Sequence, residues 1–257
     1  MTRPETDRAF LQGDAYADST KLNSRASLYD HRIPAGSLHD WVLGLTDWPE
    51  GARVLDVGCG PGSYLGALGA TGRGLRTTGV DLSPGMATEA AAHAPVLVAD
   101  AAQLPFPDDG FERVLAPHML YHCPDISAAV VELRRVLRPR GVLIAVTNDP
   151  SHLAELDAIH AAAIGRTPSS VSSRFSLDNG GPVLETVFDD VRLARFDGEL
   201  VVRDAGPLIR YLASMMTWTV DDAKDEALAE IERTLTTIIQ RDGAFRARTR
   251  AGAFICR

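Results

Sequence analysis

From Arg53 to Asn148 the chain alternates short apolar runs with helical segments, and no other feature of the sequence restricts its fold as strongly. The runs RVLDVG, RTTGVDLS, VLVAD, FERVLAPH and VLIAVTN have the length and apolar character of buried strands. SYLGALGA makes a short helix weakened by Gly66 and Gly69. Ser83-Pro84 starts the next helix, with Ser83 as N-cap and proline at the first helical position. Asp125 caps ISAAVVELRRVL, whose apolar residues recur at helical spacing. RPRG then reads as a stop, with Arg134, Arg135 and Arg138 placed at the negative helix end. Units this short require parallel pairing with right-handed crossovers.

The flanks are less regular. Residues 1–50 read as a helical cap segment in two pieces, LNSRASLYDHRIP and AGSLHDWVLGL, and residues 51–257 as the main domain. Beyond Asn148 the chain is helix-prone and then serine-rich to about Asp178. VRLARFDGELVV and the terminal FRARTRAGAFICR have strand character, which brings the expected strands to seven. DAGPLIRYLASMM and the stretch from Asp221 to Gly243 read as helices. The region from Asp149 to about Met216 is too long for a simple connection and reads as a lid set into one domain.

Charge and cysteine content narrow the function classes. A formal net charge of -8 and a pI near 5.3 argue against a broad nucleic-acid surface. No apolar run approaches the roughly 20 residues of a membrane helix, and the first residues lack a signal-peptide core. Three widely spaced cysteines fit neither a disulfide framework nor a metal site, and a reduced cytoplasm is the simplest setting.

The loop Gly58-Cys59-Gly60-Pro61-Gly62 follows the first central strand, where small residues let backbone approach a nucleotide-like ligand. A dinucleotide fingerprint would place its third glycine at Ser63, which counts against a pyrophosphate. Asp81 ends the second central strand, where an acid takes the hydroxyls of a ribose or, alternatively, helps Ser83 start its helix. Asp100 ends the third, placed to accept from an adenine amine or to cap its loop.

With these residues in place, the sequence resembles the class I S-adenosylmethionine-dependent methyltransferases. The matching stretches are VLDVGCGPG, GVDLSPGM, ADAAQLPFPDDGFERVLAPHMLYHCPD and LRPRGVL, from about Gly51 to Val146. The branch resembled is the bacterial small-molecule one that includes ubiquinone-type enzymes. The resemblance implies a Rossmann-like α/β fold: seven mostly parallel strands, the last antiparallel, flanked by helices with helical lid elements. It also implies roles. Gly58, Gly60 and Gly62 frame the methionine part of S-adenosylmethionine, with Cys59 as a small loop residue, and Asp56 orients that part through its amino group or a water. Asp81 holds the ribose, Leu82 packs on the adenine, Asp100 and Ala101 read its edge, and His118 lies near the sulfonium.

His118, Tyr121 and His122 are the catalytic candidates, because histidine suits general-base work and PHMLYHCPD follows the strand nearest the methyl group. Packing or backbone hydrogen bonding is the competing reading for each. The N-terminal segment offers Tyr16, Arg25, Tyr29, His31 and Arg32, of which Arg25 is a candidate partner for the cofactor carboxylate. Ile209–Trp218 is an adaptable apolar wall or simple packing. The expected activity is methyl transfer to a small organic acceptor. A cofactor-binding protein without transfer, a nucleotide-cofactor oxidoreductase and an RNA methyltransferase are the alternatives.

Overall fold

The computed structural model describes residues 6–168, 173–215, 218 and 223–257. Its centre is one eight-stranded sheet in the order β1-β7-β8-β6-β5-β2-β3-β4. The strands are β1 (Arg32–Ile33), β2 (Arg53–Val57), β3 (Arg76–Asp81), β4 (Val96–Val98), β5 (Phe111–Pro117), β6 (Leu137–Asn148), β7 (Val191–Val202) and β8 (Phe245–Cys256). Pairing is parallel from β4 through β6, while β8 lies antiparallel between β6 and β7. The seven expected strands are all present and the last is antiparallel. The eighth, β1, is a two-residue ribbon antiparallel to β7. It carries no periodic signal because two residues cannot show one.

Period-two alternation divides the central strands between two faces. Leu55, Val57, Val114, Ala116, Leu143 and Ala145 pack on one side with Ala129, Val130 and Leu133 of the helix Ile126–Val136. Val54, Leu115, Ile144 and Val146 pack on the other with Val42, Trp48, Tyr64 and Leu68. Both faces are covered, which is why these strands read as continuous apolar runs. Caps fall where the side chains predict. Ser83 accepts from the Met86 amide, and Asp125 from the Ala128 amide at 2.9 Å. The last helix, Lys224–Asp242, stops at Gly243, whose φ is 78°; the expected start at Asp221 lies outside the described residues.

Two local expectations need correction. RPRG is not a free turn, because β6 begins at Leu137, directly after the helix, and runs through it with Arg140 in the left-handed region. Only Arg134 reaches a carbonyl beyond the helix end, that of Leu137 at 3.1 Å. Arg135 pairs with Glu132 and Asp108, and Arg138 with Glu112. The N-terminal segment is also more broken than two helices. It runs through the short helix Arg8–Phe10, a π turn at Leu11–Ala15, the helix Thr20–Ala26 and a 3-10 turn at Ser27–His31, then β1 and the helix Leu38–Leu43.

The β7–β8 pair is longer than the rest of the sheet. Ala251–Cys256 pair with β6, and Val191–Phe196 pair with that part of β8. Asp197–Val202 and Phe245–Arg250 continue past the end of β6, about 20 Å at roughly 3.3 Å per residue. A separate apolar cluster stands on this extension. Leu28, Leu153, Leu156, Leu208, Leu212, Ile231 and Leu235 pack there on Leu200, Val202 and Phe245. The 149–216 region thus supplies a strand of the main sheet as well as the helices Ala154–Ile164 and Ala205–Ala213. Its serine-rich part at 169–172 and Met216 lie outside the described residues.

Arg32 stitches the N-terminal segment to this extension. Its guanidinium lies 3.8 Å from the Phe196 ring centroid and donates to the carbonyls of Pro34 and Asp197, each at 2.6 Å. A Cβ on Gly198 would sit 2.8 Å from that guanidinium. Gly198→Ala is therefore expected to cost about 1–3 kcal/mol, as other overpacking changes do. Gly36→Ala, whose Cβ would meet only Phe196 at 3.9 Å, is expected to be close to neutral. Urea denaturation of the two variants measures the difference.

Candidate active site

The sheet order reverses between β2 and β5: the chain moves outward through β3 to β4 and returns with β5 on the other side. In open α/β sheets the crevice outside the carboxyl ends of such strands is where ligands bind. A cavity of about 1060 Å³ opens there. Gly58, Cys59, Gly60, Asp81, Leu82, Asp100, Ala101 and His118 line its sheet side. Tyr16, Arg25, Tyr29, Tyr121, His122 and Tyr211 line the other side.

Asp81 is the best-held polar group at the strand ends. One oxygen accepts from the Gly60 amide and the other from the Ser83 amide, both at 2.8 Å. It thus ties the glycine loop to the start of the next helix while facing the cavity. Burial raises its pKa, opposed by these amides. Asp100 accepts from the Ala102 amide at 2.9 Å and pairs with Arg8 of the N-terminal segment. Further bonds lace that segment over the loop. Gln12 donates to the Leu82 carbonyl at 2.9 Å, Ser83 Oγ to the Tyr16 carbonyl at 2.7 Å, and the Ser19 amide to Glu89 at 3.0 Å.

The glycines divide. Gly58, at φ 69°, lines the cavity, and a Cβ there would strike Met119. Gly62, at φ 90°, does not line it; a Cβ there would meet His93 and Ala90 of the neighbouring helix region. The third glycine serves packing and the helix entry rather than close approach to the cavity. Cys59 is buried, its Sγ turned to the Gly60 carbonyl at 3.7 Å, and burial pushes its thiol well up. That environment suits a small loop residue, not a nucleophile.

Asp56 lies outside the cavity wall and is completely buried. Neither of its oxygens has a hydrogen-bond partner among the described residues. Burial, aided by Asp81, pushes its pKa up to about 8.

His118 directly follows β5 in the left-handed region, its amide donating to the Val146 carbonyl at 2.9 Å. Burial lowers its pKa to about 4, so it is a neutral ring at physiological pH and a weak base there. Tyr121 is buried and its hydroxyl stays protonated, raised by desolvation. His122 Nε2 and the Tyr16 hydroxyl are 2.9 Å apart, which ties the loop after β5 to the N-terminal segment. The three candidates therefore reach one cavity. Among the other N-terminal residues, Arg32 is taken up by its stitch to β7, and His31 does not line the cavity.

Several lining groups carry no local sequence signal. His152 accepts from the Arg250 amide through Nδ1 at 2.9 Å, and its Nε2 lies 2.7 Å from the Tyr29 hydroxyl. An accepting Nδ1 places the ring proton on Nε2, which donates to Tyr29. Tyr29 in turn hydrogen-bonds Tyr211. Asp157, also on the wall, is raised to about 6 by burial. His39 packs against Tyr64 with the rings tilted and their centroids 4.4 Å apart. The partners of His152 are distant in the chain, so only the fold brings them together.

Residues 55–145 match the family model described as a methyltransferase domain. A malonyl-[acyl-carrier protein] O-methyltransferase of Serratia marcescens is 38% identical over 119 residues, covering 45% of this chain and 46% of that protein. A demethylmenaquinone methyltransferase of Bacillus licheniformis is 31% identical over 143 residues, covering 52% and 60%. The chain thus spans about half the length of these curated relatives. Among solved structures, a Bacillus halodurans protein described as a methyltransferase superposes with a TM-score of 0.61 at 20% identity, covering 86% of this chain and 99% of that one. The [4+2]-cyclase SpnF superposes with a TM-score of 0.52 at 19% identity, covering 86% and 79%. At these identities the structural likeness shows the fold. Over residues 55–145 the chain is thus similar to methyltransferase domains, on a fold that it shares with proteins of that description.

The orphaned carboxyl of Asp56 sets a pH signature. A carboxyl with a pKa near 8 in the folded chain and about 3.9 unfolded favours folding most below pH 4 and loses that contribution as pH rises towards 8. Ligand-free Asp56→Asn is expected to match the parent near pH 4 and to melt progressively higher than it as pH approaches 8. Thermal melts of both proteins across that range measure the divergence.

Proposed function

We propose that this chain transfers a methyl group from S-adenosylmethionine to a small organic acceptor bound beside it. The observation that carries the reading is one continuous cavity running from Asp81 and Asp100 to the tyrosine-lined side. Its volume is at the top of the roughly 300–1,000 Å³ range of small-molecule sites, which supports room for two ligands.

The residues fit the cofactor. Asp81 has lone pairs left for two ribose hydroxyls beyond the amides it already accepts from. Leu82 offers an apolar surface to the adenine, and Ala101 with Asp100 an edge of donor and acceptor groups. Arg8 shares Asp100 and closes that end. Gly58, Cys59 and Gly60 present backbone to the methionine part. The unpartnered Asp56 behind them fits an arriving ammonium, reached through a water.

The cofactor's sulfonium supplies the activation for transfer. The chain's own work is to bind, align and exclude water. His118, Tyr121 and His122 position the acceptor; His118, being neutral, serves as a hydrogen-bonding group more than as a base. Residues 1–50 and 149–216 act as a cap on the domain formed by 51–257. The acidic balance and the absence, among the described residues, of any helix long and apolar enough to cross a membrane support a small-molecule acceptor without nucleic acid or membrane. Three buried free thiols fit a reduced cytoplasm. Ser63 and Asp100 favour this reading over a dinucleotide oxidoreductase.

Calorimetry is expected to show one site per chain for S-adenosylmethionine and for S-adenosylhomocysteine, and none for NAD(H). Asp81→Ala is expected to weaken both by about 10- to 100-fold, the worth of a lost charge-assisted hydrogen bond. Mass analysis for S-adenosylhomocysteine after addition of acceptors separates methyl transfer from binding without transfer. Folded protein that binds neither ligand contradicts the proposal.

A further inference from the structure

Arg25 is a half-buried cation that forms no ion pair among the described residues. It lines the cavity from the helix Thr20–Ala26. Nη1 donates to the Ser214 carbonyl at 2.9 Å. Nη2 is buried and has no hydrogen-bond partner, and among the described residues no carboxylate forms an ion pair with Arg25. An uncompensated charge out of water is costly, so the arrangement favours an anion brought in from outside.

The surroundings say where that anion would sit. The charge of Arg25 acts on four phenols, Tyr16, Tyr29, Tyr121 and Tyr211, and its guanidinium lies 5.6 Å from the Tyr16 ring centroid. Its anchor at the Ser214 carbonyl holds it on the helix side of the cavity, and Tyr16 is the one of the four that also feels Asp81. All four phenols stay protonated; Tyr29 gives its proton to Tyr211 and Tyr16 is paired with His122, which leaves the Tyr121 and Tyr211 hydroxyls as donors to an oxyanion. His152 is neutral and is spent on Tyr29 and the Arg250 amide, so it offers no competing cation. Asp157, the one carboxyl acting on Tyr211, is raised to about 6 by burial and forms no ion pair with Arg25 among the described residues. Met215, Ala158 and Phe196 complete an apolar wall.

We propose that Arg25 and the surrounding phenols form an oxyanion subsite for the acceptor, which enters as the anion of an acidic hydroxyl or carboxyl group on an apolar body. This deepens the proposed methyl transfer and assigns Arg25 to the acceptor instead of the cofactor carboxylate. The reaction then needs no base. The acceptor oxygen forms its bond to the methyl carbon with its own lone pair, the carbon–sulfur bond breaks with its pair kept by sulfur, and the negative and positive charges cancel. A buried site that pairs the anion with Arg25 holds it without removing its reactivity to water.

Two probes test this with the full chain, each titrated with and without saturating S-adenosylhomocysteine. 4-Nitrophenol reports its ionisation by absorbance, benzoate carries a carboxylate, and benzyl alcohol is the neutral control. The wild type is expected to bind 4-nitrophenol as the phenolate, raising the anion band at a pH where the free probe is part-ionised, or to bind benzoate; which of the two is tighter identifies the acid class. Either is expected to bind at least about tenfold tighter than benzyl alcohol. Arg25→Gln is expected to abolish that preference and leave S-adenosylhomocysteine affinity within about twofold, while Arg25→Lys retains part of the preference. Circular dichroism confirms that each variant is folded, and the lysine variant carries the test if the glutamine one is not. Wild type that binds neither anion, or an Arg25→Gln protein that loses S-adenosylhomocysteine while keeping its anion preference, overturns the assignment. If S-adenosylhomocysteine fails to bind but the anion preference holds and depends on Arg25, the subsite stands and the methyl-transfer reading falls.

Discussion

The site depends on the unbroken antiparallel pairing of β7 with β8 from Val191–Cys256 to Val202–Phe245. The parallel strands can present loops at their carboxyl ends, but they cannot build walls above them. The β7–β8 ribbon continues past β6 and gives the helices of the 149–215 region, the helix Lys224–Asp242 and the N-terminal turn at Leu28 an apolar surface to pack on. Edge backbone left unpaired by that extension is partly taken by β1, whose Arg32 lies flat on the ribbon between Phe196 and Gly198. The cavity is the space between this raised structure and the strand ends.

Burial then decides the electrostatics. Desolvation holds His118 and His152 neutral, keeps the lining tyrosines protonated and pushes Asp157 and Asp56 towards their neutral forms. Charge is stabilised against this trend at Asp81, by the Gly60 and Ser83 amides. Such a chamber suits a reaction in which a cation and an electron-rich acceptor meet away from water. Neutral side chains there would orient ligands without competing for them.

The central strands were legible because they carry continuous apolar runs between two covered faces, β7 and β8 because they have strand character along the ribbon, and β4, a three-residue edge strand, because its run VLV is apolar although exposed. Ser83 and Asp125 were legible because capping is a local transaction of three residues. Asp81, Asp100 and the loop were legible as strand-end residues, and the structure brings them to one cavity. Other features depend on contacts distant in sequence. β1 exists through Arg32 and strand β7. Gly62 is required by its left-handed backbone and by Ala90 and His93, and no reading of the loop contains those two neighbours. His152 reaches the cavity through Tyr29 and Arg250. Asp157 has nothing local to set it apart from other acidic residues on helices. The RPRG stretch misleads because its proline and glycine suggest a turn, although its backbone is carried into β6.

The central claim is that cofactor and acceptor share the cavity between the strand ends and the raised ribbon, with Asp81 as the fixed point. A crystal structure of the protein with S-adenosylhomocysteine tests it most directly. The account predicts both ribose hydroxyls within about 2.5–3.0 Å of the Asp81 carboxylate, the adenine edge at Asp100 and Ala101, and space left beside the sulfur facing Arg25 and the tyrosines. A ligand bound elsewhere, or one in the cavity with its ribose turned away from Asp81, would contradict it.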